Sequence, residues 1–129
     1  MRDFRELNVW QKAHALTLVV YEITESFPPH ERYGLTSQLR RSCSSIGANI
    51  AEGCGRGTNA DLGRFLQIAM GSASETENHL LIARDLGLLD QAQYAGLSAS
   101  IAEVKRMLAT LIVRVRAATP QGRSRATGD

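Results

Sequence analysis

The chain has 129 residues, 43% of them hydrophobic, with 15 Lys or Arg against 13 Asp or Glu and a net charge of +2. One domain of this size buries roughly 68% of the surface its unfolded form exposes, so no metal or disulfide staple is required. The longest apolar runs, such as LTLVVY from Leu16 to Tyr21, fall far short of the roughly 20 residues that span a bilayer, and no signal-type sequence opens the chain; the expectation is a cytoplasmic protein with no membrane partner.

Apolar or small residues at Val9, Ala13, Leu16, Val20, Ile23 and Phe27 alternate steps of four and three, the period of a helix packed in a bundle. Pro28 and Pro29 end this first helix, because proline lacks an amide donor and restricts its predecessor. A second helix carries Leu35, Leu39, Cys43, Ile46, Ile50 and Cys54 on one stripe. Its two cysteines are separated by about 16 Å of helical rise, which forbids a bridge between them and suits small buried fillers in a reducing compartment. Ser44, Gly47, Ala48 and Ala51 allow a neighbouring helix to approach closely, and Gly47 weakens the helix locally, which predicts a bend there.

GCGRGT, from Gly53 to Thr58, raises the question of a phosphate-binding loop. A dinucleotide motif needs a strand before it and a P-loop needs Gly-Lys-Ser/Thr at its end; this run follows a helix and lacks the lysine. Gly53, Gly55 and Gly57 are read instead as the exit from the second helix, with Thr58 capping the third and Asp61 at capping-box spacing. The third helix shows Leu62, Leu66, Ala69, Ala73, Thr76, Leu80 and Ala83, and Gly87 supplies its left-handed stop. The fourth runs through Leu97, Ile101, Val104, Leu108, Leu111 and Val115. Beyond Thr119 the pattern ends. The fold class is therefore all-α, an antiparallel up-down-up-down four-helix bundle over residues 1–119, with residues 120–129 expected as a disordered tail.

Charge is uneven along the chain. Residues 1–103 carry nine Lys or Arg against twelve Asp or Glu, a net −3; residues 104–129 carry six against one, a net +5. Folding the second helix onto the third sets Arg40 and Arg41 level with Glu75 and Glu77, which predicts a semi-buried interhelical network; the alternative is four solvated charges. A second stripe on the first helix, including Trp10, His14 and Tyr21, and another on the third, including Phe65, Ile68 and Ile82, exceed what a four-helix monomer needs to bury. Either copies of the chain cover these seams or the bundle packs wide faces, with Trp10 and Phe65 in the same core.

Catalytic signals are weak. His14, His30 and His79 sit on separate elements without metal-ligand spacing, the serines adjoin no elbow turn, and the glutamates lack the Glu-x-x-His repeats of di-iron bundles. The expectation is a protein that is not an enzyme and uses no cofactor.

The segments FRELNVWQKAHALTL, FPPHERYGLTSQLRRSCSSIGANIAEGCGR and RFLQIAMGSASETENHLLIARDLGLL closely resemble the family of bacterial four-helix bundle proteins linked to intervening sequences in 23S ribosomal RNA genes. YGLTSQLRR, ANIAEG and RFLQIAMGS carry most of the specificity. Members of the family often have proline where this chain has Gly47, and many carry lysines where it has Gly57 to Ala60, which removes a basic patch from that corner. The resemblance extends to the accessory protein of diversity-generating retroelements, and implies a ring-shaped homopentamer that binds nucleic acid and a reverse transcriptase.

The leading reading is thus a non-catalytic oligomeric module that binds RNA or DNA through phosphate contacts at Lys105, Arg106, Arg114, Arg116, Arg123 and Arg125. With few aromatics, binding is expected to be led by charge rather than base identity. A protein-interaction scaffold with no nucleic-acid ligand is the competing class.

Overall fold

The computed structural model describes residues 3–119. A 3-10 turn at Phe4–Glu6 leads into α1 (Asn8–Thr24), a second at Pro29–Glu31 precedes α2 (Leu35–Gly55), and α3 (Asn59–Asp85) and α4 (Gln91–Ala117) complete the bundle. No strand forms among the described residues. No helix there is long and apolar enough to cross a membrane.

Each helix runs against its sequence neighbour. Arg40 near the start of α2 bonds to Thr24 at the end of α1, whereas Gly47, farther along, faces Trp10 at the start of α1. Between α2 and α3 the contacts Ser42–Thr76, Ser45–Ser72 and Gly53–Phe65 progress in opposite directions. Between α3 and α4, Gly63 faces Val115 and Glu77 meets Lys105. Lys12 reaches Glu103 and closes the ring between α1 and α4.

Every apolar stripe position expected on α2 is buried, as is every one expected on α3. On α1 Ile23 is only half-buried and Thr24 takes the core position; on α4 Ile112 is buried and Leu111 only packs against its edge. Strict alternation of three and four follows a 3.5-residue period, and an α-helix has 3.6, so the buried face drifts by about 20° per heptad and promotes the next residue. Leu39, Ile46, Ile50, Leu66, Leu80, Ile101 and Leu108 are the largest fully buried side chains of the core.

α1 ends at Thr24, before the prolines, with Ser26 and Phe27 amides donating to the carbonyls three residues back. Thr58 caps α3 by accepting the Asp61 amide at 3.1 Å. Gly87, at φ +76°, closes α3: its amide donates to the Arg84 carbonyl and that of Leu88 to the Ala83 carbonyl, satisfying two of the terminal acceptors. Asp90 and Gln93 form a reciprocal capping box at the start of α4.

The glycines between α2 and α3 divide the work differently from the sequence expectation. Gly57 alone takes a left-handed conformation, φ +90°. Gly53 is still helical and serves close packing, because a Cβ there would stand 2.9 Å from the Phe65 Cβ and 3.1 Å from Leu62 Cδ1. Nothing lies within 4 Å of a Cβ on Gly55. α2 remains α-helical through Gly47, where a Cβ would stand 3.2 Å from the Trp10 indole nitrogen; the glycine accommodates that ring.

Candidate nucleic-acid interface

α4 ends in a basic, solvent-facing stretch whose members separate onto two flanks. Arg106 and Arg114 are eight residues apart, about 80° around the helix, and both line a groove of about 430 Å³ between α4 and the start of α1. Glu6 lines the same groove, yet no ion pair among the described residues involves Arg106, Arg114 or Arg116. All three side chains are exposed. Their freedom follows from local sequence: α4 carries one acidic residue, Glu103, and Lys12 meets it. Arg123 and Arg125 lie outside the described residues.

Lys105 differs. Its ammonium donates to Glu77 Oε1 at 2.7 Å, a half-exposed pair that ties α4 to α3. The expected phosphate contact there is therefore already engaged by a carboxylate within the bundle.

The expected four-residue network is not formed as one cluster. Arg41 does meet Glu75, at 2.9 Å. Arg40 points the other way, because its position on α2 faces α1: its Nε donates to Thr24 Oγ1 at 2.8 Å, and its outer nitrogen reaches the Tyr21 carbonyl at 3.2 Å and Glu25 at 3.3 Å. Glu77 lies on the side of α3 that faces α4 and goes to Lys105. His79 joins Glu75 at 3.3 Å and is itself buried, with Nδ1 lacking a hydrogen-bond partner among the described residues.

The two seams are partly consumed by the bundle. Phe65 is 8% exposed and belongs to the core, with the Arg64 and Arg56 guanidiniums 4.4 and 5.1 Å from its ring centre. Trp10 is half-buried, stacked on His14 at 4.7 Å and set edge-on to Phe4. Tyr21, Ile68 and Ile82 remain 44%, 42% and 40% exposed, and Leu86 is more open still. Tyr21 carries the Arg40 guanidinium over its ring at 4.7 Å.

Cys43 is fully buried and its thiol is pushed up to about 11, chiefly by desolvation and despite a hydrogen bond with Thr17. No group of three His, Cys, Asp or Glu among the described residues is placed to hold a metal ion.

Residues 5–110 match the model of the family described as 23S rRNA-intervening sequence protein. A crystal structure of a protein of unknown function from the S23 ribosomal protein family of Bacteroides thetaiotaomicron is similar in fold, with a TM-score of 0.75 and 26% identity over 81% of this chain and 94% of that one. No curated protein matches.

Proposed function

Because the chain belongs to the 23S rRNA-intervening sequence protein family, we propose that it is a non-catalytic, self-associating bundle that binds RNA through charge-led phosphate contacts. The observation that carries this reading is the set of exposed arginines on α4, Arg106, Arg114 and Arg116, none of which has a carboxylate partner among the described residues. Arginine offers a planar fork that matches phosphate oxygens, and an uncommitted one needs no internal ion pair broken before it binds. Lys105 is secondary in this scheme, since phosphate would have to displace Glu77. Arg123 and Arg125 extend the basic stretch in sequence.

Self-association belongs to the same reading, supported by the apolar surface left at Ile68, Ile82 and Leu86. A pentamer is the stoichiometry implied by the resemblance to the retroelement accessory protein, and a reverse transcriptase is the protein partner it implies. The competing scaffold reading draws on the same apolar surface. A pull-down after nuclease treatment separates them: loss of all partners supports RNA, retention of a protein supports the scaffold.

The direct test is anisotropy of a labelled RNA titrated with the full chain between 50 and 200 mM salt. Replacing Arg106, Arg114 and Arg116 by alanine should lower the slope of log affinity against log salt by about 2 on a single strand. Binding indifferent to salt, or absent at the low-salt end, would refute the proposal.

A further inference from the structure

At the opposite end of the molecule from the α4 terminus, the corner between α1 and α2 holds a groove of about 660 Å³. That volume lies within the range of small-ligand clefts. Pro28 and Pro29 form part of its wall, and the 3-10 turn that begins there is tied to α2, because Glu31 Oε1 accepts the Leu35 amide at 3.0 Å. Arg32, Arg40 and Arg41 line the groove with one carboxylate, Glu25, and Arg41 is already engaged by Glu75 of α3 at 2.9 Å. Arg32 makes no ion pair among the described residues. Arg40 is held in place by Thr24 and the Tyr21 carbonyl, and its contact with Glu25, a side chain 80% exposed, is the one a stronger anion would displace. Ser37 and Ser44 add exposed hydroxyls. At the rim stands Tyr33, 88% exposed, a flat ring that contributes nothing to the core.

We infer that this corner is a second nucleic-acid contact, one that takes an unpaired nucleotide of single-stranded RNA, with its base on the Tyr33 ring and its phosphate on Arg32 and Arg40. Forked cations recognise phosphate, and an exposed aromatic ring recognises a base face that has left its own stack. An acidic peptide would use the arginines and leave the ring idle. A duplex keeps its bases stacked inside and offers none to Tyr33. The inference shares its ligand class with the α4 reading and none of its residues. It adds a preference that phosphate contacts alone do not give: single strand over duplex.

The test uses the full chain and a six-nucleotide RNA bearing 5-iodouridine, photocrosslinked and mapped by mass spectrometry, beside affinities for that strand and for its duplex. Tyr33 should take the crosslink. Tyr33→Ala should weaken the single strand about ten-fold and the duplex less than two-fold, while Tyr33→Trp restores single-strand binding. Unchanged single-strand affinity in Tyr33→Ala, or no binding of the hexamer at all, overturns the inference. Crosslinks confined to α4 overturn it and leave the α4 reading standing; crosslinks at Tyr33 with affinity indifferent to the three α4 arginines do the reverse. Tyr33 lies outside the core, so helicity by circular dichroism should be the same in all variants.

Discussion

Arg41 on α2 and His79 on α3 converge on one oxygen of Glu75, at 2.9 and 3.3 Å. The His79 hydrogen bond is the largest influence on the Glu75 carboxyl; desolvation opposes it and ranks above the Arg41 hydrogen bond, and the two hydrogen bonds together hold the carboxyl below its usual range. A carboxylate with a depressed folded value stabilises the fold above its unfolded value, about 4.3, and loses that contribution as pH falls through the folded one. Glu75→Gln should therefore cost roughly 0.5–1 kcal/mol at pH 7, no more because the side chain is 40% exposed. The difference should shrink as pH falls below the unfolded value and be lost once pH is below the folded one. Urea unfolding at pH 7, 5 and 3 measures it, and an equal deficit at every pH would exclude this role for Glu75.

Gly53 and Gly71 are both helical, and their substitutions should have opposite signs. At Gly53 an added Cβ meets the Phe65 Cβ at 2.9 Å and the Leu62 backbone Cα at 3.4 Å, so two helices must separate. Overpacking of this kind costs about 1–3 kcal/mol, more than the gain of up to about 1 kcal/mol in helix propensity. At Gly71 nothing lies within 4 Å and only the propensity gain remains. Gly53→Ala should melt several degrees lower than the parent chain, and Gly71→Ala should melt higher. A neutral Gly53→Ala would mean that α2 and α3 are less closely apposed.

Much of this architecture is readable in the sequence, because burial imposes a period that survives in residue type. The stripes of α2 and α3, the Thr58 cap and the Gly87 stop follow from it. Ile112 was hidden by the small difference between 3.5 and 3.6 residues per turn. The Arg40 contacts were hidden for a different reason. Helical levels set which residues share a height, but whether Arg40 turns toward α1 or α3 depends on its angle around α2, and Thr24 and Tyr21 present their oxygens on the α1 side. Lys105 illustrates the same limit for the candidate interface: net charge by segment marks α4 as basic, and only the packing of α3 shows that Glu77 claims one of its cations. The Tyr33 corner lay within YGLTSQLRR, yet its groove exists only once α1 and the proline turn close over it.

Cys43 and Cys54 should be inert to thiol reagents in the native protein. Cys43 has no exposed surface, Cys54 has 4%, and burial pushes the Cys43 thiol up to about 11, so the reactive thiolate is scarce near neutral pH. Labelling at pH 8 should proceed only as the bundle opens and should accelerate sharply through the unfolding transition in urea. Fast stoichiometric labelling without denaturant would contradict the packing of Cys43 beneath Thr17.

Ile68 and Ile82 give the sharpest test of self-association. Each is about two-fifths exposed, so a glutamate there can still reach water in a single chain and should cost about 1 kcal/mol, less than a core substitution. In an assembly the same change buries a carboxylate against an apolar neighbour, which is strongly unfavourable unless it finds a partner. Light scattering coupled to gel filtration should thus report a multimer for the parent chain and a lighter species for Ile68→Glu with Ile82→Glu, at unchanged helicity. Phe65→Ala is the control with the opposite logic, because Phe65 lies in the core of each chain: it should lower stability by about 3–5 kcal/mol before it alters any contact between copies. A parent chain that travels as a single copy at micromolar concentration would end the self-association reading and leave the arginines of α4 to act alone.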